Sequence, residues 1–233
     1  VFKQLKPIHW SVGCQTALAD AELEYKDISS PSIYVNFPLR EESVNKVKQL
    51  GLAEDDDSTV SLMIWTTTPW TLAANLAVAV HPDLEYISLS YETENGRFTS
   101  IVAEERLEAV IAASELKEGS YSVSEARIKG KDLDGIRYEH PFINDNPTDA
   151  DAWFVITANY VTTDDGTGLV HIAPGHGVED YAAGLQYGLA VYSPVADDGC
   201  YDETVPQWLR GKNVLKVDPE VIEHLNSKGL LYT

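Results

Sequence analysis

The stretch "GTGLVHIAPGHGVEDYAAG" (166–184) gathers two histidines, two acidic residues and five glycines, and "WTTTPWTLAAN" (65–75) carries a run of hydroxyls a hundred residues earlier. Asp180 falls in the first turn of a helical segment, where the macrodipole favours a carboxylate by about 0.3–1 kcal/mol and keeps it ionised. An ionised Asp off the apolar stripe, facing a cleft, is a receptor for an ammonium group. His171 sits on a short strand whose Val170 and Ile172 point to the opposite face. That leaves it either a satisfied core histidine or a pocket wall. His171, His176 and Asp180 together would give a metal-dependent hydrolase three ligands, but His-x4-His across a strand, a proline and a glycine is not a helical ligand pair. The glycines make no phosphate cradle, because "GTG" lacks the fuller glycine pattern and no Gly-Lys-Ser/Thr follows. Thr66 and Thr68 share a strand face with Leu62 and Ile64, and Thr67 shares the other with Met63 and Trp65. The threonines read either as strand formers or as a hydroxyl row beside an aromatic, suited to hold a water and gauge side-chain bulk.

The elements that must position these groups follow from periodicity. Strands are expected over 6–12, 30–39, 59–68 (ended by Pro69, which cannot donate to a ladder), 75–80, 120–128, 151–161 and 168–173. Residues 16–25 read as a helical turn or a strand entrance. A hairpin spans 85–104 around Asn95-Gly96, a primed-turn signal. Helices are expected over 41–51, closed by Gly51, over 104–114, and over 178–188 with Val178, Tyr181, Ala182 and Leu185 as its apolar stripe. A last helix covers 218–229, with Asp218 as its cap and Gly229 as its stop. "AEDDDS" (53–58) is a solvated acidic loop. Strands outnumber helices without alternating with them, which points to an α+β fold: a mixed, largely antiparallel, β-barrel-like core with peripheral helices.

The chain has 233 residues and a formal net charge of −20. That charge argues against broad nucleic-acid binding, which needs clustered Lys and Arg. "WLRGKNVLK" (208–216) offers three basic residues and an aromatic, and reads either as a contact for a single strand or as a solvated loop. No apolar run spans a membrane. The start, "VFKQLKPIHW", is neither a signal nor a transit peptide and lacks a Met, so the chain is expected to be cut from something longer. Cys14 and Cys200 are too few and too isolated for a disulfide framework or a zinc knuckle, which suits a reducing, cytoplasmic setting.

Two long motifs, "WTTTPWTLAANLAVAVHP" (65–82) and "GTGLVHIAPGHGVEDY" (166–181), resemble the editing domain, or connective polypeptide, of isoleucyl-tRNA synthetase, a class I enzyme. "LKPIHWSVGCQTALADAELEY" (5–25) is similar to the segment that enters this insertion. The resemblance covers essentially the whole chain. Related valyl and leucyl enzymes typically read Thr-Thr-Arg-Pro, with arginine where this chain has Thr68, so "TTTPWT" favours the isoleucyl branch. The resemblance implies a single editing domain over 1–233, with 1–25 and 215–233 near the junction with a catalytic core. It implies hydrolysis of valine wrongly esterified to isoleucine tRNA. The isoleucine–valine problem is the established example of why a second site is needed: one methylene is worth only about 1–3 kcal/mol in an apolar pocket.

By that resemblance Asp180 binds the substrate ammonium, and His171 lines the pocket and helps exclude isoleucine. Thr66, Thr67 and Thr68 shape the pocket and hold ester and water. Asn75 and Thr71 belong to the substrate site, Trp65 flanks the terminal adenosine or the pocket, and His176 receives no role. A free hydroxyl of the terminal ribose assists, so no metal or other cofactor is implied for editing; ATP and Mg would serve only the full-length enzyme's synthetic reaction. No His-Ile-Gly-His-like or Lys-Met-Ser-Lys-Ser-like signature is present, so this chain should not activate amino acids. The expected partners are the 3′ end of isoleucine tRNA carrying valine and the rest of the synthetase, with the chain a monomer. The alternatives are a valyl-type editing domain, a metal-dependent hydrolase, or a non-catalytic module that docks the acceptor end.

Overall fold

The computed structural model describes residues 7–27, 29–54, 57–114 and 116–233. In chain order its strands are β1 (Trp10–Ser11), β2 (Thr16–Ala17), β3 (Ile33–Pro38), β4 (Thr59–Thr66), β5 (Ala77–Val80), β6 (Glu85–Thr93), β7 (Gly96–Ala103), β8 (Tyr121–Val123), β9 (Ile128–Lys129), β10 (Phe154–Thr157) and β11 (Leu169–Ile172). The α-helices are α1 (Glu41–Gln49), α2 (Leu107–Ala113), α3 (Val178–Tyr187) and α4 (Asp218–Ser227), and a 3-10 helix, Pro69–Ala74, joins β4 to β5. A six-stranded sheet runs β3-β4-β7-β6-β8, with β9 also paired to β6; a separate sheet runs β10-β5-β11. Among the described residues only the β4–β7 and β10–β5 pairs are parallel, so the core is mixed and largely antiparallel as expected.

The expected barrel is not formed among the described residues. The outer edge of β3 is taken by the chain's last residues instead of a strand from the smaller sheet. Tyr34 N–H donates to Thr233 O at 2.8 Å, Asn36 N–H to Leu230 O at 2.8 Å, and Tyr232 N–H to Tyr34 O at 2.8 Å. An edge satisfied in this way has no pairing left for closure. Both faces of the large sheet are nevertheless buried, which is why "VSLMIW" is apolar on both parities. Leu62 and Ile64 join the main core with β5, β10 and β11, and Met63 joins a second cluster with Ile87, Leu89, Phe98 and Val110 of α2.

Several boundaries move for local reasons. The hairpin loop is Glu94–Asn95, with Thr93 paired to Gly96. Among the described residues only Gln15 and Trp153 are non-glycines at positive φ, so no primed Asn-Gly turn exists. The segment 120–128 splits into β8 and β9 because Ser88 N–H donates to Ser124 Oγ at 3.0 Å, diverting the ladder. The expected strand 6–12 reduces to Trp10–Ser11; Lys6 lies outside the described residues, as do Asp55 and Asp56 of the acidic loop.

The α3 stripe is corrected. Val178 and Leu185 are 67% and 59% exposed, and the helix buries Ala183 and Gly184 instead. Gly184 lies so close to Pro174 that a Cβ there would sit 3.0 Å from its ring; the small-residue face allows this approach and the larger side chains turn outward. Asp218 is not its own helix's cap. It is the first residue of α4, and its Oδ1 accepts Trp70 N–H at 2.9 Å, so it caps the neighbouring 3-10 helix.

Candidate functional site

The path from β4 through the 3-10 helix into β5 carries the threonines over β11. β5 pairs with β11 in a register that sets His171 opposite Val78, and β11 packs beside β4. The result is a cleft of about 500 Å3 lined by Trp65, Thr66, Thr67, His171, Asp180 and the segment 164–170, with Tyr160 and Thr162 completing it. The carboxylate and the hydroxyl-bearing strand end, remote in sequence, therefore share one cavity.

Each expected residue has a definite place. Thr66 is buried, and its Oγ1 accepts the N–H of Thr68 at 3.1 Å, folding the chain out of the strand. Thr68 lines a second groove of about 900 Å3 together with Trp70, Lys216, Asp218 and Ile222, so the threonine run forms the partition between two cavities. Thr71 lines neither cavity; it is buried behind the first, with Oγ1 3.1 Å from the Nε2 of His171, which does line it. Asn75 lies in neither cavity. Its Oδ1 accepts the Tyr138 hydroxyl at 2.6 Å and its Nδ2 donates to Ala77 O at 2.8 Å, which ties the 3-10 helix to β5. His176 sits edge-on to Trp70, 5.2 Å between ring centroids.

Two glycine positions explain the motif's composition. Gly168 has φ +75°, and a Cβ on it would stand 2.4 Å from Ala103 Cβ; its carbonyl accepts the Tyr86 hydroxyl at 2.8 Å. Gly168→Ala is therefore expected to destabilise the chain by about 2–4 kcal/mol, combining left-handed strain with overpacking. Urea unfolding would report a lowered midpoint at unchanged slope; an unaltered midpoint would contradict this placement. Gly177 caps α3 with no side chain, and a Cβ there would meet the Asp180 carboxylate at 2.8 Å.

Electrostatics refine the expectation for Asp180. Burial pushes its carboxyl up to about 6, against the N–H of Ala173, which donates to Oδ2 at 2.9 Å and favours the anion. Desolvation thus outweighs the helix field that was expected to hold it well ionised, although the anion still predominates at pH 7. Burial pushes His171 and His176 down to about 4, so both are neutral. Of the titratable groups in the cleft wall, Asp164, Asp165 and Asp180 are acids, and among the described residues no Lys or Arg lines it. Arg106 stands behind the wall, donating to the carbonyls of Thr163, Asp164 and Gly166.

Tyr160, Thr162, Asp164 and Asp165 were not among the expected site residues. For the last three the signal was the polar, acidic run "TTDD" (162–165) immediately ahead of the second motif. Trp208 of the basic segment stacks on His224 at 4.2 Å and Lys212 pairs with Glu220, so much of that segment is engaged in packing; Lys216 borders the second groove. Cys14 and Cys200 are free thiols. Among the described residues no three His, Cys, Asp or Glu side chains are grouped to hold a metal, and no helix is long and apolar enough to cross a membrane.

Comparison with known proteins places this geometry. A family model described as tRNA synthetases class I (I, L, M and V) matches residues 1–183. The isoleucine–tRNA ligase of Nitratidesulfovibrio vulgaris is 46% identical over 226 residues, covering 97% of this chain and 22% of that protein. That of Thermococcus kodakarensis is 44% identical over 238 residues, covering 98% and 20%. The chain thus spans about a fifth of the length of these curated relatives. In fold it is similar to the crystal structure of GlLeuRS-CP1, with TM-score 0.63 and 18% identity over 86% of this chain and 97% of that one. It is also similar to the Plasmodium knowlesi cytosolic leucyl-tRNA synthetase editing domain, with TM-score 0.59 and 11% identity over 86% and 94%.

Proposed function

This chain belongs to the class I tRNA synthetases (I, L, M and V), and on that premise we propose that it is an editing domain of the isoleucyl type whose cleft hydrolyses valine from the 3′ end of isoleucine tRNA. The observation that carries the reading is the joint placement of Asp180, His171, Trp65, Thr66 and Thr67 in one cleft. An acid-lined cavity without a cation suits an amino acid whose carboxyl is esterified: the ammonium is attracted, and a free carboxylate would be repelled. The bound ammonium in turn favours the Asp180 anion.

In this reading water attacks the ester carbonyl carbon, the ester C–O bond breaks, and the ribose hydroxyl leaves with a proton. An aminoacyl ester is already activated, so positioning of the ester and the water by the threonine hydroxyls supplies most of what is needed. His171, neutral and weakly basic, acts as a wall. The terminal nucleotides approach along the groove of Thr68, Trp70 and Lys216, and a longer, cytoplasmic synthetase chain holds the tRNA body, in keeping with the net charge of −20. ATP and Mg belong to that longer enzyme's synthetic reaction.

The test is discharge of valyl-tRNA by the chain with and without a chelator. Turnover that survives chelation is expected. Loss of turnover on chelation would favour a metal-dependent hydrolase, and binding without turnover would favour a docking module.

A further inference from the structure

We propose that Thr71 locks His171 in the tautomer protonated on Nε2, and that this lock makes Thr71 a positioning residue for the wall that sets which amino acids the cleft excludes. Thr71 Oγ1 lies 2.8 Å from Thr68 O, 3.1 Å from His171 Nε2 and 3.3 Å from Thr68 Oγ1. A hydroxyl has one proton, and a carbonyl oxygen can only accept. The shortest of the three contacts therefore takes the Thr71 proton, and Thr71 Oγ1 accepts from the imidazole, which must carry its hydrogen on Nε2.

A second argument reaches the same tautomer. His171 Nδ1 is buried and has no hydrogen-bond partner. Were the ring protonated there, an N–H would be stranded in the core, and orphaned buried donors are rarer than under-satisfied acceptors. Burial also keeps the ring neutral, so the one proton it carries is the one Thr71 holds. With Nε2 spent on Thr71 and Nδ1 enclosed, neither nitrogen is free to bind substrate, and the ring acts through its shape. The lock is continuous with the hydroxyl run, since Thr68 Oγ1 is in turn 3.3 Å from Thr66 Oγ1.

This deepens the proposed function only in its specificity; the tautomer itself is measurable without turnover. Long-range proton–nitrogen NMR of the chain, with His171 assigned by the loss of its signals in His171→Gln, is expected to show Nε2 protonated and Nδ1 bare at neutral pH. Thr71→Val, which keeps the side-chain shape and removes the hydroxyl, should lose that single tautomer. It should also raise kcat/KM for isoleucyl-tRNA relative to valyl-tRNA by about tenfold, and Thr71→Ser should retain both properties. A proton on Nδ1 in the unaltered chain, or a Thr71→Val chain with tautomer and selectivity both intact, overturns the lock. If no form hydrolyses either ester, the proposed function fails while the nitrogen spectrum still decides the lock.

Discussion

Asp180→Asn is expected to lower kcat/KM for valyl-tRNA discharge by between about thirtyfold and several thousandfold, the equivalent of about 2–5 kcal/mol for truncating one partner of a buried charge pair. The substitution keeps the shape of the side chain and preserves an oxygen for the Ala173 N–H, which Asp180 Oδ2 now accepts. What it removes is the charge that meets the ammonium. The same residue predicts an acid limb in the pH profile. Its carboxyl is raised to about 6 by burial, so kcat/KM should fall as pH drops through 6, since kcat/KM reports the free enzyme's ionisations. The sign for stability is opposite. The native carboxyl holds its proton more tightly than the unfolded one, so this group stabilises the fold as pH falls from about 6 toward the unfolded value near 4. Loss of activity in that window is therefore a loss of substrate attraction with the fold intact, and a fluorescence or circular dichroism titration alongside the rates separates the two. Full activity in Asp180→Asn, or a flat profile through pH 6, would remove Asp180 from the site.

His171→Ala is expected to change which ester is attacked. The ring stands on β11 against Thr71 and borders the cleft. Replacing it by a methyl group opens room for the extra carbon of isoleucine. A methylene is worth about 10–200-fold in such a pocket, and kcat/KM for isoleucyl-tRNA should rise by a factor in that range while valyl-tRNA changes less. Paired discharge assays read both values. The prediction is one of gain, which general damage to the fold does not produce. An unchanged isoleucyl rate would mean that another group forms the wall.

The elements that carry this site were legible from local signals in two contiguous motifs, while their union in one pocket was an expectation from the family resemblance, since residue types alone left the threonines and His171 open. The apolar parity of β4 placed the threonines at a strand end, and the acid in the first turn of α3 fixed where a carboxylate would be; the strand itself stops at Thr66, short of the expected end before Pro69, because Thr66 Oγ1 accepts the Thr68 N–H. What was not legible depends on partners far along the chain. The sheet stays open because residues 230–233 occupy the β3 edge, a contact with no local signature. Asp218 has the sequence context of a self-cap, yet it serves Trp70, 148 residues away. Asn75 reads as part of the first motif, but its side chain is spent on Tyr138 and Ala77. Periodicity marked α3 as amphipathic but chose the wrong face, because close approach through Ala183 and Gly184 outweighs the larger apolar side chains. Asp180 is ionised at pH 7 as expected, but by a narrower margin, because the helix field is a local property whereas the burial that raises its carboxyl to about 6 is a tertiary one.

The most direct measurement is a crystal structure of the chain with a non-hydrolysable amide analogue of valyl-adenosine. The analogue's ammonium is expected within hydrogen-bonding distance of the Asp180 carboxylate, its isopropyl group against the His171 ring, and its carbonyl beside the Thr66–Thr68 hydroxyls. An analogue seated elsewhere, with Asp180 and His171 untouched, would contradict the proposed site.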